Sequence, residues 1–103
     1  MANRENVYLY SRYAGRFEVY QGSVVPYFNR RGRFVFKRNG KDTYLQCDLN
    51  PNVVHGSVVW MFERDDQKAV DLFIEHERMA IKELQEKIER REWNIKLLQE
   101  FAK

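Results

Sequence analysis

Arginines and tyrosines alternate at two places in the first half of the chain. Tyr8, Tyr10, Arg12, Tyr13 and Arg16 fall within nine residues, and Arg30, Arg31, Arg33, Lys37, Arg38, Lys41 and Tyr44 within fifteen. A guanidinium offers a planar fork that matches phosphate oxygens, and a tyrosine ring offers a face on which a base stacks for about 1–3 kcal/mol. The chemistry implied is recognition of an anionic, base-containing ligand. Tyr8, Tyr10, Arg12, Arg16, Arg31, Arg33, Lys37 and Tyr44 are the candidate ligand contacts. The same residues are also ordinary on solvent-facing strands, where tyrosine has high β propensity and arginine blunts a sheet edge. The three arginines packed into Arg30–Arg33 favour the ligand reading.

Other chemistries find less support. His55 and His76 are 21 residues apart, without paired zinc-ligand spacing, and Cys47 stands without a second cysteine or a nucleophile signature. The acidic series Glu63, Asp65, Asp66, Asp71 and Glu75 matches the preference of carboxylates for the positive end of a helix. Gly32 and Gly40 belong to hairpin signals, and no phosphate loop or dinucleotide fingerprint is present. The sequence therefore predicts a non-enzyme, with no catalytic residue, metal or cofactor.

The 103 residues suit a single domain, residues 1–103. With 44% hydrophobic and 32% charged residues the chain can bury a core, and it falls outside the disordered classes. No apolar run reaches the roughly 20 residues of a membrane helix, and Met1–Asn6 lacks an apolar signal segment, so a cytoplasmic protein with no membrane partner is expected. Residues 1–50 carry nine Lys and Arg against four Asp and Glu, and hold all six tyrosines and ten of the fifteen aromatics. Residues 51–103 carry nine basic against eleven acidic residues, so the formal charge of +3 arises in the first half.

The hydrophobic period places these groups. From Asn6 to about Leu49 the apolar residues alternate, with breaks at Ala14-Gly15, Gly22, Gly32 and Asn39-Gly40, which predicts an antiparallel meander. Asn39-Gly40 suits a two-residue type I′ turn, pairing Lys37 with Asp42, Phe36 with Thr43, Val35 with Tyr44, Phe34 with Leu45 and Arg33 with Gln46. A hairpin through Ala14-Gly15 joins Val7–Tyr13 to Arg16–Tyr20, by a two-residue or a four-residue loop. Val24–Phe28 reads as a further strand, limited by Pro26 to an edge or an end, and Ser57–Phe62 as the last one, apolar on both faces.

Asp65 or Asp66 caps the remainder, which contains no Gly or Pro, so one helix is expected over 65–102. Its roughly 36 residues span about 54 Å, more than the width of a five-stranded sheet. A 3–4 spacing runs through Val70, Ile74, Glu77, Ile81, Leu84, Ile88, Arg91, Ile95, Leu98 and Ala102, eight of them apolar, as in a coiled-coil seam. Trp93, Leu97 and Phe101 form a second stripe beside it. Self-association through Ile88, Trp93, Ile95, Leu97, Leu98 and Phe101 is the expectation, against a fold-back at Glu89–Glu92 that no turn residue marks. The fold class is thus α+β: a meander of about five strands over 1–62, then one long C-terminal helix with an oligomerising end.

Val58-Val-Trp-Met-Phe62, the acidic Glu63-Arg-Asp-Asp66 and Lys68-Ala-Val-Asp-Leu-Phe-Ile74, leading into a Glu/Lys/Ile helix, resemble small accessory proteins of phages infecting Gram-positive bacteria. That group includes the sponge family that counters Thoeris immunity by sequestering its cyclic ADP-ribose-type signal. The resemblance covers about residues 57–90, as a pattern, and transfers no binding residue. It implies a non-catalytic homo-oligomer, a dimer or higher, that takes up a nucleotide-derived immune signal in the host cytosol. Two other partner classes stay open: nucleic acid, bound by a basic β-ribbon, and a host defence protein inhibited by direct docking.

Overall fold

A computed structural model describes residues 4–27, 32–41 and 44–102. Five strands, β1 (Arg4–Tyr13), β2 (Arg16–Pro26), β3 (Phe34–Arg38), β4 (Tyr44–Cys47) and β5 (Val58–Met61), precede a single helix, α1 (Asp66–Phe101). All strand pairs are antiparallel, in the order β4-β3-β2-β1-β5. The chain divides into two compact units, Met1–Phe73 and Ile74–Lys103.

The first unit is a curled sheet. β2 pairs with β1 from Arg16 to Val24, with a register shift between Arg4 and Val7, and with β3 through Gly22–Pro26, so both partners flank it at Gly22. A side chain there has no room, because a Cβ would stand 2.1 Å from the Lys37 carbonyl oxygen. The two edge strands, β4 and β5, come back into contact. Val7, Leu9, Val24, Phe36, Cys47, Val58 and Trp60 meet on the inner face, supported by Tyr20, Phe34 and Leu45. The loop between β4 and β5 is held to the same core, since the Trp60 indole donates to the Asp48 carbonyl at 2.6 Å and the Asn52 amide to the Trp60 carbonyl at 2.8 Å.

On the outer face Tyr10, Val59 and Met61 pack with Ala69 and Phe73 of the first turns of α1, flanked by Tyr8, Val19, Val54 and Leu72. Both faces of β5 are therefore covered, which accounts for its unbroken apolar run. Asp65 caps α1, its carboxylate accepting the Lys68 amide at 3.0 Å. Asp66 is held by the Tyr10 hydroxyl, which donates to it at 2.5 Å, and by Arg64 at 3.2 Å. Both contacts keep the Asp66 carboxyl below the usual range, and burial followed by the Asp66 contact pushes the Tyr10 phenol up to about 12.

The structure settles one alternative of the sequence reading and differs from that reading in three details. Ala14 and Gly15 both have positive φ and link Tyr13 directly to Arg16, so the two-residue I′-like geometry belongs to this hairpin. At the other hairpin, among the described residues, only Gly40 has positive φ, the Lys41 amide bonds to the Arg38 carbonyl at 3.2 Å, and Lys37 pairs with Tyr44, Phe36 with Leu45, Val35 with Gln46 and Phe34 with Cys47. This register is two residues away from the expected one; a shift of two keeps every side chain on its face, so alternation could not distinguish them. Asp42 and Thr43 lie outside the described residues. Val24–Pro26 is the end of β2 and not a separate strand.

The helix runs unbroken through Glu89–Glu92, as expected, and excludes the fold-back. Its advance of about 100° per residue turns Trp93 and Leu97 more than 120° from the Ile88–Ile95–Leu98 line, onto the opposite flank and not beside it. In the second unit every described residue except the half-exposed Ala80 is exposed.

Candidate functional site: a basic aromatic cleft in the curled sheet

Period-two alternation carries Ser11, Tyr13, Arg16, Glu18 and Tyr20 onto the same inner face as Leu9, and the hairpin sets Ser11 opposite Glu18 and Tyr13 opposite Arg16. The apolar core fills one end of that face. At the other end these polar side chains border a cleft of about 690 Å3, closed by Arg38 at the end of β3, Leu45 on β4 and Ser57-Val58 at the start of β5.

The centre of the cleft is an arginine on a ring: the Arg38 guanidinium lies over Tyr20, 4.3 Å from the ring centroid. Arg38 can occupy this position because its partner across the ladder is Gly22, which has no side chain. The Tyr20 hydroxyl donates a short hydrogen bond to the Glu18 carboxylate, and this bond, with burial, raises the phenol above its ordinary range. Tyr20 therefore stays neutral and fixed in orientation. Stacking leaves the edge of the Arg38 guanidinium able to bond in its own plane. The exposed Arg16 adds a second cation, Tyr13 a ring that is 75% exposed, and Ser11 and Ser57 two hydroxyls. Such a set can bind a phosphate with the arginines and receive a planar group on Tyr13.

The residues chosen from sequence do not form one site. Arg16 lines this cleft. Tyr10 is fully buried beneath α1 with its hydroxyl on Asp66, Tyr8 packs against the same cluster, and Arg12 lies half-buried over the Phe73 ring at 5.1 Å. Lys37 and Tyr44 are paired neighbours on the outer face, both exposed. Arg33 borders a smaller cleft of about 190 Å3 with Gln46, Cys47, Asp48 and His55. Arg31 lies outside the described residues. Cys47 is buried, and that burial, with Asp48 next to it, pushes its thiol up to about 12.

Tyr20, Arg38, Tyr13 and Glu18 were not among the chosen contacts. For three of them a signal existed: counting by twos from Leu9 across the Ala14-Gly15 turn puts Tyr13, Arg16, Glu18 and Tyr20 on one face. Arg38 joins them through the β2–β3 register, which sets it opposite Gly22, two residues from Tyr20 on the same face. No three His, Cys, Asp or Glu side chains among the described residues are placed to hold a metal ion, and none of their helices is long and apolar enough to cross a membrane.

Comparison with protein-family models, curated proteins and solved structures returns no match.

Proposed function

We propose that this chain is a non-catalytic binding protein whose ligand is a small phosphate-bearing molecule with a planar ring, of nucleotide type, held in the cleft between β1, β2 and the ends of β3–β5. The Arg38–Tyr20 stack carries this reading: a preorganised guanidinium costs little to order on binding, and Arg16 supplies a second positive charge in the same cleft. Sequestration of a nucleotide-derived immune signal, which the resemblance of residues 57–90 implies, is the biological form that agrees with this chemistry. Capture needs affinity and no turnover, and a cleft of about 690 Å3 lies in the size range of small-molecule sites.

Titration calorimetry with mononucleotides, cyclic dinucleotides and ADP-ribose isomers tests the proposal. Binding is expected for at least one of them. Arg38→Ala should weaken it about 10- to 100-fold, the scale of a hydrogen bond to a charged group. Lys37→Ala, which removes the same charge from the outer face, should leave affinity unchanged. No heat at 100 µM of any of these ligands, or equal losses from Lys37→Ala and Arg38→Ala, rejects the cleft. Affinity for DNA or RNA that falls steeply with salt would instead support the basic-ribbon reading.

A further inference from the structure

The second unit leaves a long apolar line without a cover. Ile74, Ile81, Leu84, Ile88, Ile95 and Leu98 are 43–69% exposed, and Glu77 and Arg91 are the two charged residues interrupting their 3–4 spacing. Half-exposed, the six aliphatic side chains present on the order of 600 Å2 per copy, near the roughly 800 Å2 that each partner contributes to a stable interface. That is the upper end of the apolar patches that soluble monomers expose, where such patches often mark an interaction site.

We infer that this strip pairs with the same strip of a second copy, and that the two helices run antiparallel. The charges decide the direction. In a parallel, in-register pair, every residue of the seam meets itself, so Glu77 faces Glu77 and Arg91 faces Arg91 in otherwise apolar layers. The flanking attraction is Lys87 with Glu92, and it does not offset two buried like-charge contacts.

In the antiparallel pair, Ile74 faces Leu98 of the second copy, Glu77 faces Ile95, Ile81 faces Arg91 and Leu84 faces Ile88, each twice by symmetry. Each charged residue then packs its stem on an isoleucine, and Glu77 lies one layer from Arg91 of the other copy, within reach of that long side chain. On the flanks Arg78 meets Glu92 of the second copy, also twice. Against these four attractions stands one repulsion, Lys87 with Lys87 across the two-fold axis. The arrangement is isologous and closes at two chains, and it uses only residues from Ile74 onward, none of which lines the ligand cleft.

Charge reversal separates the two directions. Glu77→Lys alone and Arg91→Glu alone should each weaken dimerisation about tenfold or more by sedimentation equilibrium, and the double variant should return to within about threefold of the wild type. In a parallel pair each single reversal only exchanges one like-charge contact for another and leaves the dimer unchanged. Oxidative cross-linking gives an independent readout. Lys87→Cys, next to its own copy only across the antiparallel axis, should form a disulfide-linked dimer readily, and Leu98→Cys should not, while the buried Cys47 stays silent. All these positions are exposed, so folding is retained, which helical circular dichroism verifies. A wild-type monomer at 100 µM, single reversals without effect, or preferential cross-linking through Leu98→Cys would each overturn the inference.

Discussion

Replacing Gly22 by alanine should damage the sheet more than any other glycine-to-alanine change among the described strands and turns. The added carbon would lie 2.1 Å from the Lys37 carbonyl oxygen, 2.9 Å from the Lys37 carbonyl carbon and 2.7 Å from Phe36 Cζ. The phenyl ring can rotate slightly; the carbonyl belongs to the β2–β3 ladder and can yield only if Gly22 and Ser23 separate from Arg38 and Lys37. Reaching ordinary contact requires the strands to part by about 1 Å. Overpacking of this kind costs about 1–3 kcal/mol, and one or two weakened ladder hydrogen bonds add about 1 kcal/mol. The expected loss is thus about 2–4 kcal/mol of a total near 5–15 kcal/mol, a fall in Tm of at least about 10 °C. Gly15→Ala is the control, since nothing lies within 4 Å of the new carbon and only its φ of +76° is strained, for about 1–2 kcal/mol. Urea unfolding followed by Trp60 emission, in a Trp93→Phe background, reports the sheet alone, because Trp60 is fully buried and Trp93 is 59% exposed in the helix. If Gly22→Ala unfolds within about 0.5 kcal/mol of its parent, the close packing of β3 against Gly22 is refuted.

Tyr10→Phe should lower stability at neutral pH by about 1–3 kcal/mol through the lost bond to Asp66. The parent should also weaken between pH 10 and 12, because its phenol is protonated in both states below the unfolded value of 10.0 and stays so only in the folded state up to about 12; the variant should lack that slope in denaturation run across the range. At the acid side the signs reverse: Asp66 has a lowered carboxyl, so its contribution is present above the unfolded value of 3.8 and disappears as pH falls through the folded one, a loss that Tyr10→Phe should reduce. Cys47 should resist thiol reagents in the native protein at pH 8 and react on unfolding, as a buried thiol held at about 12 yields almost no thiolate; rapid native labelling would contradict its placement in the core.

Much of this architecture was legible from local pattern. Alternation from Val7 to Cys47 named the antiparallel meander but split β2 in two at Gly22, Ala14-Gly15 and Asn39-Gly40 named two turns, and the absence of Gly and Pro after Asp65 named one helix, observed as Asp66–Phe101. These are short-range matters of φ preference and side-chain period, which neighbouring residues decide among themselves. The hairpin register at Tyr44–Cys47 escaped because a slip of two leaves every face unchanged.

The candidate site was legible only in part, for a physical reason. Composition shows that tyrosines and arginines are numerous, yet a side chain is offered to a ligand or consumed by packing according to which strand lies beside it and which face the helix covers. Tyr10 and Arg12 look as available as Arg16 in the sequence, but the first turns of α1 take up the former two. Arg38 meets Tyr20 because the β2–β3 register sets Arg38 opposite Gly22, two residues along the same face from Tyr20. The sequence by itself determined the elements, their order and the apolar line of the helix. Only the tertiary structure decided which basic and aromatic groups share a cleft, since that depends on contacts between residues far apart in the chain, where local period has no influence.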